Sequence, residues 1–121
     1  MECYLDNSAT TKPCKAAVDA EISALTELYG NPSSLHQKGV DAYMLLEKSR
    51  GTIAASLKAS PDEIYFTPCG TVSNNTAIFG AVGAKKRLGK KIVTTALEHP
   101  SVEKCMERLE ESGFEVVRVQ P

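Results

Sequence analysis

The feature that most constrains the fold is residues 64–71, an apolar and aromatic run followed by proline, cysteine, glycine and threonine. The apolar run predicts a buried strand, and Pro68 ends it because proline cannot donate a hydrogen bond to a ladder. Gly70 permits a tight backbone bend, and Thr71 can cap a following helix. A strand, a small-residue turn and a helix in this order are typical of an α/β fold.

The same turn predicts an anion site. Free backbone N–H groups and the dipole of the helix point at one place, where Thr71 adds a hydroxyl. The expected ligand is a phosphate. A purely structural turn explains these residues equally well.

The rest of the chain alternates between helix and strand, which favours parallel pairing. Apolar spacing predicts the helices, and short apolar runs predict the strands. A capping-box pattern at residues 60–63 predicts a single turn before Ile64. The predicted helices are 13–30, 42–57, 71–89 and 100–113, and the predicted strands are 64–67, 91–96 and 114–119.

Composition and charge argue against several classes of function. The 121 residues carry a net charge of −1, so nothing suggests a nucleic-acid or anionic-membrane partner. No apolar run is long enough to span a bilayer, and the first residues lack the features of a signal peptide, so we expect a cytoplasmic protein. The four cysteines form no CxxC and no cysteine–histidine cluster, so we expect free thiols and no metal site.

Two predicted turns meet at one edge of the sheet. Ligands of open α/β sheets bind beyond the carboxyl ends of the strands, and both the turn at residues 69–71 and His99 follow a strand. The shared edge favours a ligand-facing His99, although a lone histidine on a turn is more often structural or solvated. The polar loop at residues 30–36 could also face a ligand, but its composition favours a solvated connection.

Several blocks of this sequence occur in the order and spacing seen at the start of cysteine desulfurases of the NifS and IscS type, pyridoxal-phosphate (PLP) enzymes of the class V aminotransferase group. The blocks are YLDNSATT at 4–11, GNPSSLH at 30–36, IYFT at 64–67, GT with SNN at 70–75, and EHP at 98–100. The chain resembles that family over essentially its whole length.

This resemblance implies an α/β fold, the incomplete large domain of an aspartate aminotransferase-like, fold type I transferase preceded by an N-terminal helical segment. It implies an N-terminal segment and substrate-side loop at residues 1–40. Residues 41–121 would be the first part of the PLP-binding α/β domain. The turn at 7–11 and the loop at 31–36 would lie near the substrate mouth.

The resemblance also implies the site residues. Gly70 and Thr71 would bind the PLP phosphate, and His99 would stack on the pyridine ring and help move protons. Imidazole suits both tasks because it is flat, polarisable and able to exchange protons near neutrality. The family substrate is L-cysteine, which becomes L-alanine while its sulfur passes to an enzyme persulfide for iron–sulfur cluster or thio-cofactor assembly.

Two positions depart from the family pattern. Cys69 stands where a small residue is usual, and Val72 stands where a glutamate is common. A valine there forfeits a charge–dipole interaction of roughly 0.3–1 kcal/mol. Cys69 is interpreted as a packing residue, because the sulfur-accepting cysteine of the family lies far downstream.

Family enzymes continue well beyond residue 121. Their cofactor-bearing lysine, the acid that pairs with the pyridine nitrogen and the catalytic cysteine all come later, and no lysine here matches that lysine's motif. We therefore expect the chain alone to be inactive and to need a missing C-terminal half or a homodimer partner. Two alternatives stay open: a non-catalytic remnant that binds PLP or phosphate, and an interaction fragment that docks on an intact desulfurase. The family arrangement also predicts a strand at 64–67 with no neighbour in this chain.

Overall fold

The computed structural model describes residues 3–121, which form four α-helices and a two-stranded sheet. The elements are α1 (Lys15–Thr26), α2 (Gln37–Leu57), a 3₁₀ turn (Pro61–Glu63), α3 (Gly70–Lys85), β1 (Lys91–Thr95), α4 (Pro100–Glu111) and β2 (Glu115–Val119). They divide into a first unit ending at Tyr65 and a second unit beginning at Phe66. The domain division at residue 40, which rests on the resemblance, stays a prediction. Within the described part of the chain, none of the helices has the length and apolar character needed to cross a bilayer.

Helix α1 is shorter at both ends than its pattern predicts. Its N-cap is Cys14, so the helix starts after Pro13, and it ends at Thr26, well before Gly30. The predicted apolar face exists but is not buried, since Ile22 stays 54% exposed and Leu25 69% exposed. The helix therefore gains little from packing within its own unit.

A close backbone approach joins the loop at residues 30–36 to the first turn of α2. A Cβ added to Gly39 would lie 2.2 Å from the carbonyl oxygen of Ser34, and one added to Gly30 would lie 1.9 Å from that of Lys38. Both positions require glycine because no side chain fits there. The loop is thus tied to α2, although most of its side chains stay exposed.

Residues 64–67 do not form the predicted buried strand. The 3₁₀ turn Pro61–Glu63 forms as predicted, and the chain leaves it in an extended conformation at Ile64, whose carbonyl accepts a hydrogen bond from the Arg50 guanidinium. Tyr65 is 79% exposed. A strand needs a neighbour to complete its backbone hydrogen bonds. The sheet described within residues 3–121 consists of β1 and β2, and residues 64–67 are not one of its strands.

Strands β1 and β2 pair in parallel, as predicted, with Ile92 opposite Val116 and Val93 opposite Val117. Alternate residues of a strand face opposite sides of the sheet. One side packs against a buried cluster on α4, and α3 adds half-buried side chains around it. The cluster and its surrounding residues are Cys105, Met106, Leu109, Ile78, Val82, Ile92, Val102, Phe114 and Val116.

The other side of the sheet is open. Val93 is 64% exposed and Val119 51% exposed. Lys91 and Glu115, paired across the first rung, form an ion pair at 2.8 Å. In the described structure neither outer edge of the sheet has a further strand beside it.

An ion cluster fastens β2 to α4. Arg118 lies 2.6 Å from a carboxylate oxygen of Glu103 and 2.7 Å from one of Glu110. Hydrogen bonds to Glu110 and then Glu103 raise the pKa of Arg118, and the hydrogen bond from Arg118 lowers the pKa of Glu110. These contacts hold β2 against α4, whose first residues, Pro100 and Ser101, line a surface cleft.

Candidate functional site

Helix α3 begins one residue earlier than predicted. Cys69 is the N-cap, with φ −165° and ψ 165°, and its side chain makes no capping hydrogen bond. Thr71 already lies inside the helix, so the prediction that it caps the helix is wrong. The extended backbone of Cys69 leaves Gly70 as the first helical residue.

The first turn of α3 has unused hydrogen-bond donors. Its first intrahelical bond runs from the N–H of Ser73 to the carbonyl of Cys69, at 3.1 Å. The N–H groups of Gly70, Thr71 and Val72 precede that bond and have no acceptor within the described residues. A Cβ added to Gly70 would meet nothing within 4 Å, so the space beside this turn is open.

Side chains on either side of the turn hold it in place. The Thr67 hydroxyl donates to the carbonyl of Cys69 at 3.1 Å, and its oxygen lies 2.5 Å from that of Ser73. These bonds connect the extended segment to α3 without using Gly70 or Thr71. The donors of the first turn thus stay available.

Helix α4 begins as predicted, with Pro100 at its first position and His99 as N-cap. The Nδ1 atom of His99 accepts a hydrogen bond from the backbone N–H of Ser101 at 3.1 Å and lies 2.8 Å from the Ser101 hydroxyl. The imidazole therefore satisfies a donor that a helix start normally leaves unpaired.

Thr71 and His99 line the same cleft of about 430 Å³. The structure thus brings together these two predicted residues from separate turns, and Gly70 adjoins Thr71 without lining the cleft itself. The other lining residues are Asn75, Pro100, Ser101 and Lys104.

Sequence reasoning assigned no role to two amide residues of α3, Asn75, which lines the cleft, and Asn74 beside it in the sequence. Asn74 donates through Nδ2 to the hydroxyl of Ser101 at 2.8 Å and so links α3 to α4, and Asn75 donates to the carbonyl of Thr71 at 2.7 Å. Residues three and four positions after Thr71 share its helix face, and that spacing could have identified both. No local signal identifies Ser101, because its role depends on how the two helices pack.

The electrostatics of the cleft favour an anion. The N-termini of α3 and α4 both border it, and each carries the positive end of a helix dipole. Lys104 adds an ammonium group, whose pKa is raised by the hydrogen bond and charge of Glu107 at 2.7 Å. Because Glu107 shares that charge, the open N–H groups of α3 are the donors most free to bind a ligand.

Cys69 is exposed, so its interpretation as a packing residue is wrong. Its extended backbone at the helix start leaves the side chain outside the core. Cys105 on α4 is the buried cysteine of the second unit, where desolvation raises the pKa of its thiol.

The first unit carries a cleft of its own, of about 510 Å³. It is lined by Tyr4, Thr10, Thr11, Lys12 and Pro13. This is the turn that the resemblance places near the substrate mouth. It offers hydroxyls and one ammonium group to a polar ligand.

The donor set of the α3 cleft fits the phosphate end of PLP. Backbone N–H groups and a hydroxyl at a helix N-terminus are the usual means of binding a phosphate dianion. The flat ring of His99, which also lines the cleft, offers a surface on which an aromatic ring could stack. The residues present therefore suit the phosphate and one face of the cofactor.

The family described as aminotransferase class-V matches residues 3–121. A NifS/IcsS protein homolog of Lactobacillus delbrueckii subsp. bulgaricus is 49% identical over 96% of this chain and 30% of its own length. A cysteine desulfurase IscS of Neisseria meningitidis is 45% identical over 93% of the chain and 28% of its own length. Among solved structures, a NifS-like protein matches 98% of the chain at 37% identity with a TM-score of 0.89, over 33% of its own length. The chain thus spans about 30% of the curated relatives it matches.

Proposed function

Because the chain belongs to the class-V aminotransferase family, we propose that it is the N-terminal part of a PLP-dependent cysteine desulfurase. The whole enzyme would convert L-cysteine to L-alanine and hold the sulfur as a persulfide for iron–sulfur cluster or thio-cofactor assembly, in the cytoplasm. The observation that carries this proposal is the cleft shared by Thr71 and His99 beside an open helix N-terminus, in a chain that matches NifS and IscS proteins throughout.

Gly70, Thr71 and His99 each have a definite task in this proposal. The N–H groups of Gly70 and Thr71, with the Thr71 hydroxyl, would bind the phosphate of PLP. The His99 ring would lie against the pyridine ring and exchange protons at Nε2, the nitrogen not engaged by Ser101. PLP, when bound, supplies the electron sink for bond cleavage at the amino acid.

The 121 residues by themselves are proposed to be inactive. The cofactor needs a lysine to hold it covalently and an acid to pair with its ring nitrogen, and the family supplies both from later segments. The missing segment would come from a C-terminal half or from a partner subunit.

One solved relative, the protein SspA, is described in complex with cysteine. It matches 94% of this chain at 30% identity, with a TM-score of 0.83, over 33% of its own length.

A complementation experiment tests this proposal. The chain is co-expressed with the C-terminal two thirds of the Lactobacillus NifS/IcsS relative, and the purified complex is assayed for PLP absorbance, alanine and sulfide. We expect turnover by the complex and none by either part. His99→Ala should abolish most activity, whereas the matched control His36→Ala should retain it. Sustained turnover by the lone, purified chain would overturn the proposed inactivity, and a silent His99→Ala would overturn its role.

A second candidate function, binding of phosphate or PLP without turnover, is favoured by the open N–H groups of Gly70, Thr71 and Val72. Calorimetric titration of the lone chain with inorganic phosphate and with PLP tests it. Gly70→Ala should weaken binding while leaving the fold intact, because a Cβ there meets no atom of the chain. Copurification of the chain with an intact desulfurase, without phosphate binding, would instead favour the interaction fragment.

A further inference from the structure

The Nδ1 atom of His99 faces the protein, and its environment determines where the imidazole proton lies. The backbone N–H of Ser101 points at Nδ1 from 3.1 Å. A backbone N–H can only donate, so Nδ1 must be the acceptor. In the neutral ring the proton then lies on Nε2.

The Ser101 hydroxyl completes the same arrangement. Its oxygen lies 2.8 Å from Nδ1 and accepts a hydrogen bond from Nδ2 of Asn74 at 2.8 Å. With one lone pair occupied by the Asn74 donor, the hydroxyl hydrogen is free to point at Nδ1. The two side-chain hydrogen bonds thus run in one direction, from Asn74 through Ser101 to His99, and the backbone N–H of Ser101 donates to the same Nδ1.

Burial protects the hydrogen bonds from Asn74 to Ser101 and from Ser101 to His99 from competition by water. Ser101 is 8% exposed, so water competes poorly for its hydroxyl, and Asn74 is half-buried. His99 itself is exposed, and its Nε2 has no hydrogen-bond partner among residues 3–121. One edge of the ring is therefore fixed by the protein, while the other is available at the cleft.

We propose that Ser101 and Asn74 are positioning residues that hold His99 in the Nε2–H tautomer and present that N–H to the cleft it shares with Thr71. Ser101 acts on the ring directly, and Asn74 acts through Ser101. The consequence for the cofactor rests on the proposed function, but the tautomer is a property of this chain alone. Locking the ring spares the site the reorganisation needed to place a donor there.

The chain contains its own reference. It has two histidines, and His36 caps α2 much as His99 caps α4. Among residues 3–121, the Nδ1 of His36 accepts from the N–H of Gly39 alone, at a longer 3.4 Å, and no hydroxyl contributes. We therefore expect a weaker tautomer preference at His36.

Nitrogen-15 NMR of the histidine side chains tests the proposal on the full 121-residue chain. Long-range proton–nitrogen spectra at alkaline pH distinguish the two tautomers, and a His36→Gln variant assigns the signals. We expect His99 to be almost entirely Nε2–H. Ser101→Ala should change its tautomer ratio by about three- to tenfold toward the other form, the range expected for loss of one buried hydrogen bond.

Matched variants separate positioning from a merely structural effect. Ser101→Thr keeps the hydroxyl and should restore the His99 spectrum, and Asn74→Leu should shift the ratio in the same direction as Ser101→Ala. Ser112→Ala, which removes a hydroxyl at the other end of α4, should leave it unchanged. An unperturbed backbone amide spectrum establishes that each variant is folded.

The proposal is overturned if wild-type His99 shows no more tautomer preference than His36, or if Ser101→Ala and Ser101→Thr give the same spectrum. Neither result depends on PLP. A locked tautomer in a chain that fails the complementation assay would therefore contradict the proposed function alone. In an active complemented complex, Ser101→Ala should shift the cofactor absorption band and Ser101→Thr should not.

Discussion

Helices α3 and α4 face the same cleft, but they begin in opposite ways. Helix α4 is closed by His99, whose Nδ1 accepts from Ser101, and its body is buried at Met106 and Leu109. In helix α3 the side chain of the N-cap, Cys69, makes no capping hydrogen bond, and no residue of the helix is fully buried. Helix α4 is therefore anchored by its cap and by burial, whereas α3 keeps backbone N–H groups without an acceptor among the described residues.

The largest expected effect is a difference in the loss of stability between apolar substitutions in α4 and in α3. Leu109→Ala removes a buried side chain of α4 and should lower the free energy of unfolding by about 2–5 kcal/mol. Ile78→Ala, at a half-buried position of α3, should cost clearly less. Chemical denaturation followed by circular dichroism measures both. Equal losses would show that α3 is anchored as firmly as α4.

The next largest effect is the loss of stability when the N-cap of α4, His99, is removed. His99→Ala removes the cap of α4 and should destabilise the chain by about 1 kcal/mol, the usual value for an N-cap. His36→Ala should cost less, because its bond to Gly39 is longer. Thermal denaturation of the two variants provides the comparison. If His36→Ala proved the more damaging, hydrogen-bond geometry would not be what ranks these caps.

The converse change adds a capping side chain to α3, whose N-cap side chain makes no hydrogen bond. Cys69→Asp supplies a carboxylate that can accept from the free N–H groups of α3, so it should stabilise the chain by about 0.5–1 kcal/mol. The same carboxylate should repel inorganic phosphate and weaken its binding in calorimetry. Cys69→Ala, the control, should change neither quantity. A Cys69→Asp variant with wild-type stability would mean that those donors are already satisfied.

The smallest expected effect is a change in the pH dependence of stability. It concerns the ion pair between Glu110 on α4 and Arg118 on β2. Because Arg118 lowers the pKa of Glu110, this carboxylate stabilises the fold above its ordinary pKa of 4.5, and that contribution is lost as the pH falls through the lowered value. Glu110→Gln should therefore flatten the acid limb of a stability–pH profile below about pH 4.5. Repeating the change in an Arg118→Gln background should have no further effect on that limb. A persisting effect would assign the pH dependence to another partner.

The sequence predicts α4, β1 and β2 well because each depends on local signals. Pro100 and Gly113 delimit α4, and the apolar runs on either side form strands that pair with each other. The segment at 64–67 has an equally strong strand pattern, but a strand also needs a neighbour. Pattern alone cannot say whether the neighbour is present.

The candidate site was likewise predictable only in part. Thr71 and His99 line one cleft as the sequence predicts, but the premise of two parallel strands ending at one edge is only half met, since residues 64–67 form no strand. That Cys69 and not Thr71 is the N-cap could not be predicted, since threonine is the favoured cap residue and the backbone geometry of the turn overrides that preference. The bond from Asn74 to Ser101 could not be predicted either, because it depends on the packing of one helix against another.

The open side of the two-stranded sheet has a consequence for how the protein behaves at high concentration. Val93, Val117 and Val119 form a bare β-branched surface, and a sheet with free edges is a template for strands of other molecules. The ion pair between Lys91 and Glu115 places charged side chains only at the first pair of residues in the sheet. We therefore expect this face and the free edges to promote association between molecules at high concentration, and Val93→Lys should raise the solubility.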